Sequence, residues 1–144
     1  MKTVKILLVD DSEVMLRHVA TLLGQKGLHA LLAQNLQTAL EVFHRQKPDA
    51  LLIDFILQAG TTGLGVVSAI SAVVERLNAT GESLALPPTA VLTRGALTDE
   101  DQQKANSLGV RVIQKPSQGK EKEFLQEVEF WLHDAKLIGN SENL

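Results

Sequence analysis

Along the chain, short runs of consecutive apolar residues alternate with longer stretches in which apolar residues recur every three or four positions. Five runs have the length and content of strands: Val4–Val9, His29–Ala33, Ala50–Asp54, Thr89–Thr93 and Val110–Ile113. Strands covered on both faces read as near-continuous apolar segments rather than as alternating ones, and these mostly do.

Between the runs lie five stripes at helical spacing. Met15, Val19, Leu22 and Leu23 share a face, with Gly24 or Gly27 available to end that helix. Leu36, Ala39, Leu40 and Phe43 follow before Pro48 forbids continuation. Val66, Val67, Ile70, Val73, Val74 and Leu77 form the third stripe. A fourth helix, Asp99 to Leu108, opens on a Thr98 cap and has little apolar content beyond Ala105 and Leu108, which predicts the most exposed and loosely held helix. The fifth carries Phe124, Leu125, Val128, Trp131, Leu132 and Ala135. Strict alternation of strand and helix predicts an α/β fold, a doubly wound five-stranded parallel sheet in order 2-1-3-4-5 with five helices. Residues 1–138 are expected as one domain, with 139–144 as a fraying tail. Residues 78–88, NATGESLALPP, read as a long turn-rich connection.

Composition narrows the functional classes. The 144 residues are 44% hydrophobic and 22% charged, enough apolar material for an unaided core. Cysteine is absent, which excludes disulfides, zinc-thiolate sites and thiol catalysis. The net charge of -3 offers no clustered basic surface, so direct nucleic-acid binding is not expected. Ile6–Val9 is too short for a secretory core and no stretch has membrane-spanning length, so a cytoplasmic protein without membrane contact is expected.

In open α/β sheets, ligands bind outside the carboxyl ends of the strands. Asp10 and Asp11 follow the first strand, Asp54 ends the third, Thr93 ends the fourth, and Lys115-Pro116 follow the fifth. Singly, each has a bland reading: Asp11 or Ser12 as a helix cap, Asp54 as a turn residue, Thr93 bonded to a loop amide, Lys115 as a solvated charge. Together they do not, because three clustered carboxylates repel unless a cation compensates. Mg²⁺, a hard ion with oxygen ligands, is the expected cofactor, held by Asp10, Asp11, Asp54 and a backbone carbonyl near Ile56. Asp54 is then placed as a nucleophile toward a phosphoryl donor, with Lys115 and Thr93 for the phosphoryl oxygens.

The set Asp10-Asp11, Asp54, Thr93 and Lys115-Pro116 resembles the response-regulator receiver family, including its single-domain chemotaxis-type members, across about residues 3 to 135. That resemblance implies a flavodoxin-like fold and roles for these positions as acidic pair, phosphoacceptor, switch hydroxyl and lysine, with a Lys-Pro step often found in cis. It implies a sensor histidine kinase or phosphotransfer protein as donor, and a protein target downstream. It also implies a signalling switch rather than a turnover enzyme, and a homodimer through the fourth helix, fifth strand and fifth helix. No effector domain follows, so a stand-alone receiver is expected.

The chain departs from the family pattern in three further places. After Asp54, where a Pro four residues on and a Gly eight on are usual, stand Gln58 and Thr62, with Gly63 one residue late, as if the loop carried an insertion. Arg94 takes a place normally small, and Val112 replaces the aromatic switch residue in a chain with no tyrosine. Three other readings stand beside the receiver. One is a non-phosphorylated pseudo-receiver adaptor, against which the acidic pair and lysine speak. Another is a flavodoxin-like nucleotide binder, whose phosphate Asp10-Asp11 would repel. The last is an aspartyl phosphatase, whose second Asp two residues after its nucleophile is missing from Val-Asp-Asp-Ser.

Overall fold

The computed structural model describes residues 3–57, 62–82 and 84–139. Its elements run β1 (Lys5–Val9), α1 (Glu13–Gly24), β2 (His29–Ala33), α2 (Leu36–Gln46), β3 (Ala50–Asp54), α3 (Gly63–Ala79), β4 (Thr89–Thr93), α4 (Asp99–Leu108), β5 (Arg111–Gln114) and α5 (Glu121–Asp134). The strands form one parallel sheet in the order β2-β1-β3-β4-β5, as expected.

Side chains alternate between two cores, one on each face of the sheet. Ile6, Leu8, Leu52, Ala90 and Leu92 meet α1 and α5 through Leu16, Val19, Leu23, Phe124, Val128, Trp131 and Leu132. Leu7, Val9, Leu51, Ile53 and Val91 face α2, α3 and α4 through Ala39, Phe43, Leu64, Val66, Val67, Ile70 and Ala105. The central strands β1, β3 and β4 therefore lie between two apolar layers, which is why their sequences are nearly continuous apolar runs. The weak stripe of α4 has its counterpart here: Ala105 is its one buried residue.

Local chemistry sets the helix ends. Side chains of Ser12, Asn35, Thr62 and Thr98 accept backbone N–H bonds at the starts of α1, α2, α3 and α4. After α1, Gly27 takes a left-handed φ of +74° while the Leu28 N–H returns to Leu23 O at 3.1 Å. The connection after α3 is tied by Asn78, which donates to the Leu84 carbonyl and accepts the Leu84 N–H, both at 2.7 Å.

Two boundaries and one peptide differ from expectation. β1 starts at Lys5 rather than Val4, which is buried in the first core with its carbonyl taken by the His29 N–H. β5 spans Arg111–Gln114 rather than Val110–Ile113. The Val110 N–H is consumed in closing α4, bonding Ala105 O at 2.9 Å, and the ladder extends instead through Gln114, which pairs with Thr93. The Lys115–Pro116 peptide, expected in cis, is trans. The trans form is the ordinary preference even before proline, and the Lys115 N–H carries the β4 ladder forward by bonding Thr93 O at 2.8 Å. Beyond α5, Leu137 and Ile138 pack against the first core. The expected fraying at 140–144 and the bulk of the expected insertion, at 58–61, lie outside the described residues.

Candidate phosphoryl-transfer site

From β1 the chain crosses to β2 on one side, and from β3 it moves to the other. The carboxyl ends of β1 and β3 thus flank the crevice where the winding reverses, the usual ligand position in such sheets. Asp10 directly follows β1, and Asp54 is the last residue of β3.

The sheet brings together four of the residues singled out by the sequence, Asp10, Asp11, Asp54 and Lys115. One carboxylate oxygen each from Asp10, Asp11 and Asp54 lie within 4.8 Å of one another. Lys115 Nζ, itself nearly buried, is 2.9 Å from Asp54 Oδ1 and 3.6 Å from Asp10 Oδ2. Asp54 and Asp10 are 5% and 4% exposed. Thr93 is buried at the end of β4, where its hydroxyl donates to Gly95 O at 3.0 Å. Ser12 is the α1 cap, accepting the Met15 N–H at 3.2 Å, so Asp11 is not needed for that task.

Asp10 shows the tension in the cluster. Its Oδ1 accepts the Ser12 N–H at 2.9 Å, while its buried Oδ2 has no hydrogen-bond partner. Burial pushes its carboxyl above the usual range. The Ser12 N–H opposes this, the Asp54 charge adds to it, Lys115 opposes it, and Asp11 adds again. Three carboxylates against one ammonium leave negative charge uncompensated. Three hard oxygen donors and an orphaned buried carboxylate oxygen are a donor set that fits a divalent cation such as Mg²⁺.

The loop after Asp54 is shaped by a close approach. Ile56 forms an isolated antiparallel bridge with Thr62, and the Gly63 N–H donates to Phe55 O at 2.7 Å. A Cβ on Gly63 would lie 2.5 Å from the Asp54 carbonyl oxygen, so only glycine lets α3 start against the end of β3. The Ile56 side chain is 71% exposed and Arg94 is also exposed. Val112 is half-buried against the second core.

Sequence reasoning did not find the Gly95 carbonyl and Gln114, whose side-chain amide reaches that carbonyl at 3.4 Å. The available signal was the position of Gln114, one residue before Lys115 on a strand leading to the site.

Fold and site together define a doubly wound α/β protein whose acidic chemistry is gathered at the β1/β3 reversal. The chain belongs to the response regulator receiver domain family, whose family model matches residues 6–128. Among curated proteins, none matches the chain. Solved structures similar to it include the chemotaxis protein CheY4 of Vibrio cholerae, at 22% identity and TM-score 0.72, covering 91% of this chain and 100% of that one. A two-component response regulator of Clostridium difficile matches at 21% identity and TM-score 0.71, covering 91% and 97%. The signal receiver domain of a modulated diguanylate cyclase from Desulfovibrio desulfuricans matches at 20% identity and TM-score 0.69, covering 94% and 98%. At such identities the likeness is one of fold. Among the described residues, no helix is long and apolar enough to cross a membrane.

Proposed function

We propose that this receiver is a phosphoacceptor, taking a phosphoryl group on Asp54 from a phosphohistidine of a sensor kinase or phosphotransfer protein. The observation that carries this reading is the position of Asp54. It is nearly buried at a strand end, with one oxygen held by Lys115 at 2.9 Å and two further carboxylates within 4.8 Å. Lys115 engages Oδ1, which leaves Oδ2 to attack phosphorus. The O–P bond forms as the P–N bond of the donor breaks, and the imidazole departs with the electron pair and takes up a proton.

Asp10, Asp11 and Asp54, with the carbonyl of Ile56, would hold Mg²⁺, which when bound neutralises charge on the transferred phosphoryl oxygens. Lys115 supplies a compact cation to another oxygen. Thr93 donates its hydroxyl to a third, leaving Gly95 O. That movement biases the β4–α4 connection and α4, whose single buried residue makes it the least costly element to shift. The output face in this reading is α4, β5 and α5, for a downstream protein or a second copy. Residues 1–138 act as the switch domain, in the cytoplasm, with no catalytic turnover of a separate substrate.

The test is exposure to a small phosphodonor with Mg²⁺, followed by peptide mapping of acid-labile phosphate. Label is expected on Asp54 and absent from Asp54→Asn, which removes the charged oxygen at nearly constant shape. No acid-labile phosphate on the parent, or phosphate on another residue, would refute the reading and leave a non-phosphorylated adaptor.

A further inference from the structure

The Gly95 carbonyl, two residues beyond β4, is shared by two donors. The Thr93 hydroxyl reaches it at 3.0 Å and the Gln114 side-chain amide at 3.4 Å, while the Gly95 N–H returns to Thr93 Oγ1 at 3.4 Å. Gln114 is the register partner of Thr93 and the last residue of β5. The next residue is Lys115, whose N–H bonds Thr93 O at 2.8 Å and whose ammonium holds Asp54 at 2.9 Å. Residues 93–95 and 114–115 therefore join the Asp54 pair, the Thr93 hydroxyl and the start of the connection to α4 in one bonded unit.

A carbonyl oxygen has two lone pairs, so both donors fit at once, but each reduces the electron density available to the other. In the phosphoacceptor reading, on which this inference rests, the Thr93 hydroxyl turns toward a phosphoryl oxygen. Gly95 O then loses its nearer donor. Gln114 is already in place, and its present bond is long enough to shorten. Val112, half-buried on the same strand, has no polar group for the task.

We propose that Gln114 is a positioning residue for phosphoryl transfer. It takes over the Gly95 carbonyl as Thr93 releases it, and so draws the β4–α4 connection toward the β5 edge. Its amide stabilises the state in which the Thr93 hydroxyl is free to bond the phosphoryl group. No contact between Gln114 and the phosphoryl group is involved.

Two spectroscopic measurements test this. In the first, the parent and Thr93→Val are compared without metal or phosphodonor. With the competing hydroxyl gone, the Gln114 side-chain amide protons should move downfield and exchange more slowly with water. An unchanged Gln114 resonance shows that the acceptor is not shared and overturns the proposal. In the second, the parent and Gln114→Met, an uncharged residue of similar length without a donor, are titrated with beryllofluoride and Mg²⁺. Gln114→Met should bind about fivefold more weakly, the equivalent of one neutral hydrogen bond, with reduced amide shifts at Gly95 and Ala96. Equal affinity and identical shifts at those residues overturn the role of Gln114 alone. A parent that binds no beryllofluoride overturns the phosphoacceptor reading and this role with it.

Discussion

Replacing Gly63 with Ala adds one methyl group where the end of β3 meets the start of α3. The new Cβ would sit 2.5 Å from the Asp54 carbonyl oxygen and 3.1 Å from both the Asp54 carbonyl carbon and the Phe55 Cα. All three are backbone atoms, so no side chain can rotate away. Either α3 withdraws, stretching the 2.7 Å bond from the Gly63 N–H to Phe55 O, or the Asp54 segment is displaced. Overpacking of this kind costs about 1–3 kcal/mol, and weakening the hydrogen bond adds up to about 1 kcal/mol. Alanine's better helix propensity returns about 1 kcal/mol at most. A net loss of about 2 kcal/mol is expected. With an unfolding entropy of about 2.1 cal/mol/K per residue, that is roughly a 7 °C drop in Tm for a chain of this length. Thermal unfolding followed by circular dichroism, with urea midpoints at unchanged m, measures it. Propensity alone predicts the opposite sign. A variant as stable as the parent, or more so, would refute the close approach.

Other outcomes follow from the acidic cluster and its rim. Asp10 has a folded-state pKa raised chiefly by burial, so the folded state binds the extra proton as pH rises past the unfolded value of about 4. Metal-free stability therefore falls as pH rises through that window and stays reduced above the folded pKa. Asp10→Asn should raise Tm near neutral pH, with the gain vanishing below about pH 4; a difference independent of pH would contradict this. Asp11→Ala should keep the fold yet lose the Tm increase that Mg²⁺ gives the parent, an increase worth about 1.4 kcal/mol at ten times Kd; equal responses would remove Asp11 from the metal site. Arg94→Ala should speed both loss of the phosphoryl group and uptake from small phosphodonors, because a guanidinium reaching over the site from this position would bond a phosphoryl oxygen and obstruct water. Rates matching the parent's would make Arg94 a surface charge only.

The run of residues along this chain already contained the alternation of strand and helix, the order of the sheet and the four strand ends that bear Asp10, Asp11, Asp54, Thr93 and Lys115. The alternation follows from hydrophobic periodicity, which is local: Leu51, Leu52 and Ile53 announce a strand covered on both faces before any partner is known. Sheet order and strand-end sites then follow from the rules of doubly wound sheets. Thr98 announces its helix equally locally, through a side chain three residues from the N–H it accepts. Register and helix closure are different in kind. Whether β5 starts at Val110 or Arg111 depends on which carbonyl receives the Val110 N–H, and α4 takes it. Only the folded sheet decides that Lys115 reaches both Asp54 and Asp10, or that one oxygen of Asp10 is buried without a hydrogen bond. The same is true of Gly63, whose missing Cβ matters because the Asp54 carbonyl lies against it, nine residues earlier in the chain. Gln114 carried no signal beyond its place one residue before Lys115. Its contact with Gly95 arises from the pairing of β4 with β5, an arrangement that depends on the close packing of both layers against the sheet.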